Sequence, residues 1–142
     1  MKKSEESKAR KLFEKTKQRA GTLIQNPAKT KQIIEQAQEK SEERQGPLSK
    51  VWNELQLMFQ MVRDWVKGDY QKAPKGSIVA IFGGVLYFVM PLDAIPDFIP
   101  VAGLIDDVYI INLVIKQVNS DLQTYKRWLA KEPNKKHQPL NN

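Results

Sequence analysis

The chain has no cysteine and a single histidine in 142 residues, and no uninterrupted apolar run reaches the roughly 20 residues that a bilayer core needs. Without cysteine there is no disulfide framework, no thiolate nucleophile and no zinc site of the cysteine type. The lone His137 lies in a polar tail, where it reads as a solvated residue rather than a base or a ligand. A Gly-x-Ser-x-Gly elbow, a His-Glu-x-x-His pair, a Walker-type loop and a dinucleotide glycine loop are all missing, so the familiar catalytic groupings are not there. The start, Met1-Lys2-Lys3-Ser4-Glu5-Glu6, runs straight into acids and lacks an apolar h-region; no cleaved signal peptide is expected, and the cytoplasm is the expected compartment. Strand-like alternation and internal repeats are absent too, and no basic residue occurs between 76 and 115.

What is there is charge and helix-forming sequence. A chain of this length holds one domain and an appendage. Its 41% hydrophobic and 27% charged content and mean hydropathy of −0.53 are those of a water-soluble chain rather than a polytopic one. The net charge of +7 is unevenly spread: seventeen basic against ten acidic residues in 1–75, four aspartates and no base in 76–115, six basic against two acidic in 116–142. Two basic flanks thus bracket an apolar, acidic middle. Such flanks attract an anionic membrane surface or nucleic acid. No nucleic-acid module and no basic–aromatic interleaving accompany the charge, so nucleic acid is not the expected partner.

Residues 1–46 are rich in Lys, Glu, Gln and Ala and are broken only at Asn26-Pro27, which predicts a charged arm of two helices with too few apolar residues for a core of its own. Gly46-Pro47 marks a boundary, with Pro47 suited to a first helical position. Leu48, Val51, Trp52, Leu55, Phe59, Val62 and Val66 follow 3-and-4 spacing, an amphipathic helix that Gly68 is suited to terminate in the left-handed conformation. Ile78 to Met90 is apolar all round, about 20 Å as a helix, and stops at Pro91. Val108, Ile111, Ile115, Val118, Leu122, Tyr125 and Leu129 mark a last amphipathic helix ending near Lys131, before a polar tail over 133–142. Trp52, Trp65 and Trp128 lie on these amphipathic segments, as core or membrane-interface residues.

Between the last two helices runs Pro91-x-Asp93-x-Ile95-Pro96-Asp97-x-Ile99-Pro100-x-x-Gly103-x-x-Asp106-Asp107, ten specified positions over seventeen residues without a gap. On this motif, over roughly residues 78–115, the chain resembles the YkvA-like proteins. That resemblance implies a helical domain with a conspicuous hydrophobic hairpin, often treated as membrane-associated, over 47–132; it implies no reaction and does not extend to the arm.

The prolines disfavour helix in the residues before them and force an ordered turn. Asp93, Asp97, Asp106 and Asp107 then have two uses. They can accept hydrogen bonds from amides freed by the turn, Asp106 near the start of the last helix, or some of them can converge as oxygen ligands for Mg²⁺ or Ca²⁺. Asp106 and Asp107 do not share a helix face, so at most one of them joins such a cluster. A two-span hairpin is disfavoured, since these two aspartates add about 5–7 kcal/mol at the midplane. Gly76, Ala80 and Gly84, at four-residue spacing, predict an edge for close helix packing. The expected protein is all-α: amphipathic helices around a hydrophobic hairpin with a Pro/Asp-rich turn, plus the charged arm. The hairpin either inserts shallowly into a cytoplasmic membrane face or forms the core of a small bundle. The leading function is a non-enzymatic, membrane-associated interaction protein; the rivals are a soluble bundle that binds a partner protein and a metal-dependent enzyme using the Asp cluster. No cofactor is expected beyond that divalent cation.

Overall fold

The computed structural model describes residues 3–90 and 103–131, with the side chains of 103–106 outside that set. Helix α1 spans Lys3–Leu23, α2 Pro27–Glu42, α3 Trp52–Lys67, α4 Lys75–Val89 and α5 Gly103–Lys131, with a 3-10 turn at Ser49–Val51 before α3. The protein is all-α, and no strand occurs among the described residues.

Local signals set most of the helix ends. The Asn26 side chain accepts from the Lys29 N–H at 3.1 Å and Pro27 opens α2, so one first-turn amide is capped and another is absent. Gly68 closes α3 at φ 88°, where a side chain would be strained. Pro47 does not open α3 as its position suggested. Leu48 is fully buried, and the Leu48, Ser49 and Val51 amides bond back to Arg44, Gly46 and Leu48 carbonyls, so tight turns carry the chain to Trp52.

Cross-contacts fix the directions. Lys17 lies against Gly83 and Gly84 against Val114, Arg10 Nε donates to the Tyr109 hydroxyl at 2.7 Å, Gln56 Nε2 donates to Ser41 Oγ at 3.2 Å, and the Tyr125 hydroxyl donates to Asp64 Oδ2 at 2.5 Å. Helices α1, α3 and α5 therefore run one way and α2 and α4 the other, an up-and-down bundle.

Its centre is α4, which packs against α1, α2, α3 and α5. Ile78, Ala80, Ile81, Phe82, Val85, Leu86, Tyr87 and Phe88 are all buried. Each large apolar side chain so covered contributes about 1.5–3 kcal/mol. Of the two roles open to the apolar hairpin, α4 takes the core role. The charged segment before Gly46 packs as well: Ala9, Phe13, Ala20, Ile24, Ile33, Ile34 and Ala37 join the same cluster as Phe59, Ile81 and Val118, so one core runs across Gly46-Pro47.

The small-residue edge of α4 is offset from its sequence position. Gly76 is exposed in the first turn of α4, and a Cβ there would meet nothing within 4 Å, although Ala73 before it and Ile78 after it are buried. Ala80 is buried. A Cβ at Gly84 would stand 3.0 Å from Val114 Cγ2, and one at Gly83 would stand 2.8 Å from Lys17 Cα. At Gly83 the backbones of α4 and α1 thus approach so closely that no side chain fits between them.

Candidate functional site

Residues 91–102 connect the end of α4 to the start of α5, and Pro91, Asp93, Pro96, Asp97 and Pro100 lie outside the described residues. So do His137 and the rest of the tail over 132–142. Gly103 is the first residue of α5, which puts Asp106 in its first turn. Asp107 is buried and faces α2, with its Oδ2 3.8 Å from Lys40 Nζ.

Lys40 ties three helices together at this end. Its ammonium donates to the Phe88 carbonyl and lies 4.7 Å above the Phe88 ring. That carbonyl belongs to the last turn of α4, beyond Leu86, whose carbonyl takes the Met90 N–H. Lys40 therefore both caps α4 and balances the Asp107 carboxylate of α5. Burial holds its ammonium below the usual lysine range, and Asp107 offsets part of that shift. With an ammonium beside it, Asp107 is ill placed to join a cluster of cation ligands. Among the described residues no three His, Cys, Asp or Glu side chains come together as a metal site.

The opposite end carries a different charge. Here α1 ends, α2 begins, α3 ends, α4 begins and α5 ends, bringing Arg19, Lys29, Lys31, Lys67, Lys72, Lys75, Lys126, Arg127 and Lys131, all exposed, to one end of the bundle. Few acids balance them. Asp64 is buried and accepts from Tyr125; Asp121 accepts from Ser77 Oγ; Asp69 is exposed. Beneath this surface Tyr70, Tyr125 and Trp128 form an aromatic cluster with ring centroids 4.9–5.8 Å apart. Burial first, and the Asp64 carboxylate second, push the Tyr125 phenol well above the usual tyrosine range. Arg63, half-buried between α2 and α3, is lowered by burial against the opposing pull of Glu35 and Asp64.

Sequence reading placed Asp106 near the start of the last helix and missed Lys40, Asp64 and the basic end. Asp64 carried no signal in that spacing, since it stands about 200° round the helix from Val62 and Val66. Its partner stands sixty-one residues away, and no spacing rule reaches that far.

Taken together, these features define a small all-helical bundle with a buried apolar helix, the Lys40–Asp107 contact at one end and a basic surface at the other. A family model described as "Protein of unknown function (DUF1232)" matches residues 77–113, from the first turns of α4 into α5. The chain is 38% identical over 74 residues to "Uncharacterized membrane protein YkvA" of Bacillus subtilis (strain 168), a match covering 52% of this chain and 70% of that protein. No solved structure matches. The chain belongs to this YkvA-like family. Among the described residues no helix is long and apolar enough to cross a membrane.

Proposed function

We propose that this chain is a non-enzymatic, membrane-associated interaction protein of the cytoplasmic face, which presents the basic end of its bundle to anionic headgroups. The observation that carries the reading is the gathering of exposed Lys and Arg at one end while Asp64 and Asp121 are bonded to Tyr125 and Ser77. Each Lys or Arg close to an anionic leaflet contributes about 1 kcal/mol, so a handful suffices for reversible binding. The relative's name, a membrane protein, supports the same reading. Helix α4 does not serve as the lipid-facing element in it, because its apolar faces are covered by four helices.

Vesicle flotation tests the proposal. The protein should float with vesicles containing phosphatidylglycerol, stay behind with phosphatidylcholine alone, and be released as salt rises, since surface attraction is screened over about 8–10 Å near physiological ionic strength. Binding that ignores both lipid charge and salt contradicts it. An absence of vesicle binding under every condition also contradicts it, and favours an acidic protein as the partner of the same end.

A further inference from the structure

We propose that the groove between α2 and α3 binds one long-chain fatty acid, its acyl chain along the apolar floor and its carboxylate at Lys31, Arg63 and Lys67. The groove has a volume of about 480 Å³, within the range of about 300–1,000 Å³ found for small-molecule sites. Its accessible apolar lining is Pro27, Ala28 and the half-buried Val66, with the fully buried Ile34 and Val62 packed directly beneath. Thr30 adds no polar group, because its hydroxyl is turned onto the Leu23 carbonyl at 3.1 Å.

The polar groups of the lining are thus three cations and no carboxylate. The ion pairs Lys17–Glu14 and Lys40–Asp107 lie elsewhere and involve none of Lys31, Arg63 and Lys67. Arg63 is half-buried and its guanidinium reaches Gln38 Oε1 at 3.3 Å, while the Glu35 and Asp64 carboxylates that pull on its charge lie outside the groove lining. The first turn of α2, whose positive dipole end favours an anion, lines the same groove through Pro27 and Ala28. The aromatic faces and clustered hydroxyls that would hold a nucleobase or a sugar are missing from the lining, which suits a hydrocarbon chain ending in one anionic group.

The test is calorimetric titration of dodecanoate, kept below its micelle concentration, into the full chain. Saturable binding at one site is expected, with dodecanol at least about tenfold weaker. Arg63→Gln should weaken dodecanoate by about ten- to a hundredfold, as loss of a charge-assisted hydrogen bond does. Val66→Trp should fill the groove and abolish binding with the melting curve retained; if that variant fails to fold, the exposed pair Lys31→Gln and Lys67→Gln carries the same readout. An absence of saturable binding, equal affinity for dodecanol, or binding untouched by Val66→Trp overturns the proposal. So does a dimer that Val66→Trp dissolves, which would assign the groove to a second copy of the chain. Flotation of Val66→Trp keeps this separate from the membrane reading: the variant retains every surface charge and should still bind anionic vesicles.

Discussion

In the core of the bundle a phenol and a carboxylate share a proton-donating contact: Tyr125, fully buried, donates to Asp64, itself 1% exposed. The bond exists only while the phenol keeps its proton, and the folded protein favours that state. A folded-state value above the ordinary 10 means the contribution is intact below about pH 10 and is lost as pH rises past it, because the unfolded chain ionises first. Tyr125→Phe should therefore cost about 1–3 kcal/mol at pH 8. The gap to the parent should narrow above pH 10, by up to about 1.4 kcal/mol per pH unit, since the variant has no such phenol to ionise. Tyr70 shifts in the same direction but is present in both proteins and cancels. Denaturant melts at pH 8, 10 and 11 check this, and a gap that stays constant would show that Tyr125 ionises alike in both states.

At the scale of the helix, α4 illustrates what periodicity conveys and what it leaves out. Its apolar stretch and its stop near Pro91 are legible because they are local, as are the breaks at Asn26-Pro27 and Gly68. Which neighbour lies against which face is not, because that depends on α1 folding back from a sequence that looks too polar to pack. Gly83 shows the difference. In the sequence it is one of two adjacent glycines; in the fold the Lys17 backbone meets α4 there. Gly83→Ala should consequently cost about 1–3 kcal/mol through overpacking and push α1 outward. Gly76→Ala, in open space, should be neutral or stabilising by up to about 1 kcal/mol. Thermal midpoints of the two variants compare them directly; equal midpoints would mean that α1 does not press on α4 there.

For the whole molecule, the sequence shows basic flanks around an apolar, acid-bearing middle, and folding turns that linear pattern into a bundle with two unlike ends. The up-and-down order sends residues 29–31, 67–75 and 126–131 to one end, and the Pro/Asp connection with the Lys40–Asp107 contact to the other. Charge counts along the chain cannot reveal this, because Lys29 and Lys131 come to the same end only once the helices have packed. The lack of native cysteine allows a direct test of which end meets lipid. Thr22→Cys and Ser4→Cys place single exposed labels at the basic end and at the other end respectively. With anionic vesicles carrying headgroup nitroxides, the fluorophore at position 22 should be quenched while that at position 4 is not, and salt should reverse the quenching. Quenching at position 4 with none at position 22 would contradict the orientation and place the Pro/Asp end at the membrane.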